Sequence, residues 1–295
     1  MRICAFALVL LAFSCWPITP VHAGDATGTL NVGVLGEVLS LDPALADDDA
    51  SRLVLLNVYD QLFEYDHLAR PFELRPCLAA ELPEVSEDQK TWTIRLREGV
   101  RFHDDPCFPD GTGRTVTASD VEFCLKRLMD GGLKTTGRWL LERRVLGIDA
   151  FTEAAKRARP NPNRDVYDAQ TGYPDVEGLR VVDEHTLEIR LIRPYPALPW
   201  VLATSYGSIY PREAVRHYGA ELGKRIVTSG PYRLKRWLSS KRMIFELNRT
   251  YRDGDRYPDD GTSQDGRLGR LADAGRALPL NDLVVISAYD DEMQQ

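Results

Sequence analysis

Gly99-Val100-Arg101-Phe102-His103-Asp104, followed after an interval by Thr117-Ala118-Ser119-Asp120-Val121, is the stretch that decides the fold. Just upstream, Trp92, Ile94 and Leu96 alternate with Thr93 and Arg95, so Thr91 to Arg97 reads as a strand with one buried face. Gly99 lets the backbone bend out of that strand. Downstream, Thr117 to Asp120 has the form of a capping box, in which Thr and Asp side chains satisfy free amides at a helix start. Val121, Cys124, Leu125 and Leu128 follow at helical spacing, which predicts a helix that buries those four and turns Glu122 and Lys126 to solvent. His103-Asp104-Asp105 could supply a base with an orienting acid, or part of a metal site. Neighbours on an extended segment point to opposite sides, however, so a polar loop is the preferred reading.

Outward from this centre, Leu30, Val32 and Val34 alternate as in a half-buried strand. Asp47, Asp48 and Asp49 precede an apolar run from Leu53 to Phe63, and carboxylates suit a helix start because they cap amides and meet the positive end of the dipole. Leu187, Ile189 and Leu191 alternate after the polar turn Asp183-Glu184-His185, and Pro211 opens a helix from Arg212 to Tyr218. Arg159 to Gly178 and Asp253 to Gly275 read as surface loops. No repeat of fixed period is present, and strands and helices mix without a regular βαβ alternation. The pattern is α/β or, more broadly, mixed α+β.

Composition narrows the function classes. The 295 residues are 43% apolar and 27% charged, as in an ordinary globular chain with room for about two domains. Lys plus Arg number 37 against 44 Asp plus Glu, a net charge of −7 that argues against a nucleic-acid partner. Arg2, the apolar stretch Ile3 to Phe13 and the small-residue end Val21-His22-Ala23 form a secretory signal, predicting cleavage between Ala23 and Gly24 and a soluble periplasmic product. A lipid-modified Cys15 is the alternative, disfavoured by bulky Phe13 just ahead of it. Of five cysteines, Cys77, Cys107 and Cys124 remain after cleavage, so at least one thiol is free. A Cys77–Cys107 disulfide is a candidate that sequence leaves open, and Cys124 lies on the apolar stripe of its helix. No C-x-x-C, G-x-S-x-G, H-E-x-x-H or G-x-G-x-x-G occurs. Gly219 to Lys224 has one residue too few between its glycines for a phosphate loop, with Arg225 where a hydroxyl is needed. Asn248-Arg249-Thr250 is a glycosylation triplet of the kind that arises by chance. Nothing points to catalysis, a metal or another cofactor.

Taken in order, several segments resemble the family 5 extracellular solute-binding proteins of ABC importers, which include oligopeptide-, dipeptide- and nickel-binding proteins. They are Ser40-Leu41-Asp42-Pro43, then Val58 to Tyr65 (VYDQLFEY), Arg75 to Glu81 (RPCLAAE), the two parts of the opening stretch, Ser229 to Leu234 (SGPYRL) and Glu246-Leu247-Asn248-Arg249. The G-V-x-F-H-D and T-A-x-D-V pairing is the most specific. The resemblance implies a periplasmic-binding-protein-like fold of type II, and a non-enzymatic subunit that binds a peptide or other small solute and presents it to an ABC permease. It implies ligand contacts just after the L-D-P motif, which here are Ala46, Asp47, Asp48 and Asp49; helix capping is the competing reading. It also maps the chain onto a signal peptide (1–23), a sheet domain of lobe one (24–49 with 177–288), a small inserted domain (50–176) and the start of a second lobe (289–295).

Two departures stand out. Pro106 to Arg114, carrying Cys107, is an insertion, and family members run to about twice this length. The expectation is therefore a truncated or split chain, with lobe two absent or separately encoded. The alternative function is a single-lobe module that pairs with a permease or with such a second lobe; an exported hydrolase ranks third. The export signal is checked by mass spectrometry of protein from the periplasmic fraction, where the first residue should be Gly24. A retained Met1, or a diacylglyceryl group on Cys15, would rule the cleavage out.

Overall fold

A computed structural model of the chain describes residues 28–289 except 159, 160, 162, 168, 240, 253 and 254. The expected signal sequence, its Ala23–Gly24 junction, Cys15 and residues 290–295 lie outside the described residues.

Among the described residues, ten strands form two four-stranded sheets and one ribbon. In the first sheet β1 (Thr29–Leu35) lies at the edge, while β2 (Phe63–Tyr65) and β3 (Leu74–Pro76) make the separate ribbon. The second sheet is built from β4 (Glu84–Val85), β5 (Thr91–Arg95), β6 (Leu179–Asp183) and β7 (Thr186–Arg190) in the order β4-β5-β7-β6. The first sheet is completed by β8 (Tyr232–Ser239), β9 (Arg242–Leu247) and β10 (Leu283–Tyr289), ordered β1-β10-β9-β8. There β1 runs parallel to β10, with Leu30 opposite Val284, and the remaining pairs are antiparallel. The segments around Leu30–Val34 and Tyr232–Leu234 thus share one mixed sheet, as the motif order predicts.

The second sheet follows from period-two burial. Trp92 and Ile94 of β5 face Ile189 and Leu187 of β7 in register, and all four are buried. The β6–β7 turn closes with the Asp183 carboxylate accepting the His185 amide at 2.8 Å. These pairings depart from the expected boundary between Val176 and Glu177. β6 and β7 follow that point, yet their ladder partner β5 precedes it. We draw the inserted unit, as a proposal, through to Arg190.

The described residues also form six α-helices: α1 (Asp49–Val58), α2 (Ala118–Leu128), α3 (Ile148–Arg157), α4 (Leu198–Leu202), α5 (Arg212–Tyr218) and α6 (Ser263–Arg267); α2 packs on β6 and β7 of the second sheet. α6 lies within the stretch expected to be loop; Thr262 and Asp265 form a capping box that starts it. In α2, Val121, Cys124, Leu125 and Leu128 are buried as predicted. Lys126 is not turned to solvent: it is 7% exposed, pairing with Glu122 at 2.8 Å and reaching the Tyr167 carbonyl at 3.4 Å. The helix is covered on more than its apolar stripe, and that cover also takes in Arg127.

Arg127 and Asp42 are 1% and 2% exposed. The guanidinium donates to both Asp42 oxygens at 2.6 and 2.7 Å and to the Tyr210 hydroxyl at 3.0 Å. Burial opposes the charge on Arg127, but Asp42 together with Tyr210 and Tyr167 outweighs it and keeps the guanidinium protonated. The L-D-P turn is thereby tied to the end of α2.

The other quoted motifs meet in a second polar knot. Asp60 accepts Ser229 Oγ and Arg252 Nη1, each at 2.7 Å, and lies 3.7 Å from Cys77 Sγ. His103 is 3% exposed; its amide donates to the Thr228 carbonyl at 2.7 Å and its Nε2 lies 2.9 Å from the Gly230 carbonyl. Asn248 Nδ2 reaches the same carbonyl at 3.1 Å. Gly230 is required here because a Cβ would lie 1.9 Å from the Val58 carbonyl oxygen. His103 is therefore a structural residue of the core, neither a base nor a polar surface loop.

The Pro106–Arg114 insertion folds back on itself. Phe108 stacks on Phe102 at 6.2 Å, and Arg114 clamps both Asp120 and Glu213. The candidate Cys77–Cys107 disulfide is not formed, since Cys77, Cys107 and Cys124 are all free and buried. Cys77 sits in the Asp60 knot, whereas Cys107 lies in the insertion loop, where its amide donates to Asp105 at 2.9 Å. Burial pushes each thiol up, away from the reactive thiolate.

Two stability measurements check these assignments. Arg127→Met should cost about 3–5 kcal/mol in chemical denaturation, because a buried carboxylate is left unpaired, and Asp42→Leu in the same chain should recover part of it. A cost near zero for the single change would show that the pair is solvated. Burial also lowers the His103 pKa to about 4 from 6.5, so the folded chain holds this ring neutral. The unfolded chain binds the extra proton, so this contribution is complete above pH 6.5 and is lost as pH falls towards 4. It amounts to about 3 kcal/mol. His103→Gln should flatten the stability profile in that window; an unchanged slope would refute it.

Candidate functional site

The chain leading into α1, with its N-cap and first residue, carries the residues that the resemblance marks as ligand contacts. Asp48 is the N-cap, its Oδ1 accepting the Ser51 amide at 2.6 Å. Ser51 is buried, and its Oγ accepts the amides of Leu39 and Ser40 at 3.0 and 3.1 Å, which fixes the approach of the chain to the helix. Ala46 is 1% exposed and turned into the core, its amide bonded to the Asp42 carbonyl at 2.9 Å. Asp47 and Asp49 are exposed, and Asp49 lies 3.3 Å from Arg52. So one predicted contact faces inward, one is spent largely on the cap, and two reach solvent.

Beside them lies a groove that the sequence reading missed. A depression of about 470 Å³ is lined by Arg52 and Leu56 of α1, Tyr65 of β2, Trp139, Thr204 and Tyr206. Its aromatic walls are held by hydrogen bonds. The Tyr206 hydroxyl accepts Arg52 Nη2 at 2.9 Å and lies 2.7 Å from Thr136 Oγ1. The Tyr65 hydroxyl donates to the Trp200 carbonyl at 3.4 Å while its ring packs 5.4 Å from the Trp200 ring. Trp139 remains 51% exposed, an unusual amount for so large an apolar surface without a covering group. Leu56 and Tyr65 also line a second depression of about 340 Å³, where Tyr232, Tyr251 and Tyr257 join Glu64 and Arg75. The two make one continuous surface along the outer face of α1.

Its polar groups are few and placed at intervals, as in sites that orient a small ligand. Arg52 Nε and Asp48 Oδ2 are buried with no hydrogen-bond partner among the described residues. No group of three or more His, Cys, Asp or Glu side chains among the described residues could hold a metal ion. No helix among them is long and apolar enough to cross a membrane.

No local sequence pattern marked the groove. Tyr65, Trp139 and Tyr206 come from three separated segments, and none sits in a quoted motif except Tyr65, which closes the VYDQLFEY segment.

Comparison with known proteins agrees with this architecture. Residues 73–292 match the model of the bacterial extracellular solute-binding proteins, family 5 middle. The periplasmic oligopeptide-binding protein OppA of Escherichia coli K12 is 27% identical over 218 residues, which are 73% of this chain and 35% of the relative. The probable D,D-dipeptide-binding periplasmic protein DdpA of the same organism is 25% identical over 258 residues, 85% of this chain and 42% of the relative. Listeria monocytogenes OppA bound to peptide shares the fold with a TM-score of 0.64 at 19% identity, covering 89% of this chain and 42% of that one. The unliganded open form of the murein tripeptide-binding protein MppA gives 0.66 at 21% identity, over 90% and 42%. The expected mixed α/β fold is thus that of solved periplasmic binding proteins. This chain spans 35% of the length of the E. coli relative. The relatives are binding proteins rather than enzymes, and with its family match running from residue 73 to 292 the chain belongs to the bacterial extracellular solute-binding proteins of family 5.

Proposed function

We propose that this chain is an exported substrate-binding component of an ABC importer, that its solute is a peptide, and that the groove along α1 forms one wall of the site. The observation that carries this reading is the aromatic groove itself, with Trp139, Tyr65 and Tyr206 flanking Arg52. Flat aromatic faces pack against peptide planes and side chains of many sequences, while a single cation and the exposed Asp47 and Asp49 offer partners for the charged ends of a peptide. The names of the relatives, oligopeptide- and dipeptide-binding among them, support the choice of solute. Periplasmic location, presentation to a membrane permease and a truncated or split organisation belong to the same proposal.

A second reading, a module that pairs with a permease or a separately encoded second lobe, is favoured by one observation. Leu35, Leu39, Leu238 and Tyr289 are each at least half exposed, at 66, 64, 56 and 50%. Leu35 and Tyr289 face each other across the β1–β10 ladder.

An open wall binds weakly, since ligand sites enclose about 70–90% of a small ligand, and loss of about 4 kcal/mol of contact weakens affinity about a thousandfold. A photo-cross-linking tripeptide at millimolar concentration should therefore label Leu56, Trp139 or Tyr206, mapped by mass spectrometry. Trp139→Ala should reduce that labelling about tenfold. Labelling confined to other surfaces would reject the groove. Micromolar binding of a di- to pentapeptide pool by a demonstrated monomer would show instead that one wall suffices.

A further inference from the structure

The free edges of the two four-stranded sheets are not alike. β8 carries Arg233, Lys235 and Arg236 and shifts register twice against β9. β6 carries Arg180 and Asp183 with one such shift, and β4 is only two residues long. Charge, irregular pairing and shortness are the devices that keep a sheet edge from pairing with another chain. β1 has none of them. Its seven residues, Thr29-Leu30-Asn31-Val32-Gly33-Val34-Leu35, hold no charge and no proline, and they pair with β10 in unbroken register.

The ladder defines which groups of β1 point outward. The Leu283 amide donates to the Gly28 carbonyl at 2.8 Å, and the Gly36 amide to the Tyr289 carbonyl at 2.9 Å. In a parallel pair alternate residues give both backbone groups to the same neighbour, so the even-numbered residues serve β10. Thr29, Asn31, Gly33 and Leu35 turn theirs to the other side, where β1 has no neighbouring strand among the described residues. All four are exposed. Apolar surface accompanies this bare backbone. Leu30 and Leu35 are 44 and 66% exposed, and the Tyr289 ring lies across Gly33, where a Cβ would sit 3.2 Å from its Cε2.

We propose that this edge takes a second copy of the chain, β1 against β1 and antiparallel, joining the two first sheets into one. What selects a copy of itself is the placement of the outward groups, which is symmetric about Val32. With Val32 facing its counterpart, Thr29 meets Leu35 and Asn31 meets Gly33, in pairs that exchange two hydrogen bonds apiece. Every outward amide and carbonyl of β1 then has a partner. On the face that carries buried Val34, the exposed Leu30 comes opposite Val34 of the other copy, apolar beside apolar. On the opposite face Gly33 leaves room for Asn31. No charge meets a like charge along the paired strands, although each chain carries −7 overall. The inference does not depend on what the α1 groove binds.

Analytical ultracentrifugation of protein from the periplasmic fraction, from low to high micromolar concentration, tests the proposal and should show monomer passing to dimer. Asn31→Pro removes an outward amide and leaves the β10 ladder intact, so it should weaken the dimer about tenfold with unchanged circular dichroism. Disulfides read the register. Facing residues that share no hydrogen bond have Cα atoms about 4.5 Å apart, within the span of a disulfide. Val32→Cys should therefore link to its own copy on mild oxidation, whereas Leu30→Cys and Val34→Cys should link only when the two variants are mixed. A monomer at every concentration, a dimer indifferent to Asn31→Pro, or Leu30→Cys linking to itself as fast as Val32→Cys would overturn the pairing. Hydrogen exchange identifies the other occupants. Asn31 and Gly33 amides already protected in the dilute monomer would show that another segment of the same chain holds the edge, and protection that appears only with a co-purified protein would show a foreign strand; either result rejects the second copy.

Discussion

The Asp42–Arg127 pair sets the constraint on which the remainder of the structure rests. Two opposite charges removed from water at this depth are tolerated only with close to ideal geometry, and two short parallel hydrogen bonds supply it. Holding that geometry fixes three pieces of chain at once: the turn after β1, the last turn of α2, and Tyr210 ahead of α5. Tyr59 adds a bond from its hydroxyl to the Leu41 carbonyl at 3.3 Å, which draws the end of α1 onto the same point. A displacement of any of these segments strands a charge, so the first sheet and the helices above it hold one arrangement.

The Asp60 knot extends the same logic to the rest of the quoted motifs. Ser229, Arg252 and Cys77 gather on one carboxylate, while His103 and Asn248 gather on the carbonyl of Gly230. Gly230 and Val58 approach so closely that no side chain fits between them. These residues recur as motifs because each occupies a crowded junction, and their chemistry is structural. The proposed ligand surface lies elsewhere, on side chains that the junctions leave free.

That separation has an energetic basis. Residues whose hydrogen bonds are all satisfied inside the fold gain little from meeting a ligand. The rings of Tyr65 and Tyr206 are oriented by bonds through their hydroxyls, so their faces are presented without much further loss of freedom on binding. Rigid aromatic walls with sparse polar groups suit a binder that tolerates varied side chains.

By itself the sequence determined the elements and their family. Alternation at Trp92 and Ile94, the Thr117–Asp120 capping box and the Asp183-Glu184-His185 turn act over a few residues, so local chemistry specifies them without the rest of the chain. The ordered motifs likewise carried the family resemblance and its mixed α/β fold, because each records a junction. Where a side chain ends up was decided by tertiary structure. Lys126 and Arg127 belong to the polar side of an isolated helix, yet packing of Tyr167, Tyr210 and the Asp42 turn around α2 covers them. Cys77 and Cys107 offered a plausible pair by count alone, but the fold assigns them to different surroundings. Ala46, placed among the ligand contacts, turns inward because its amide completes the L-D-P turn. The groove was illegible for the same reason: Tyr65, Trp139 and Tyr206 are distant in sequence and become neighbours only when α1 is fixed by its buried polar anchors.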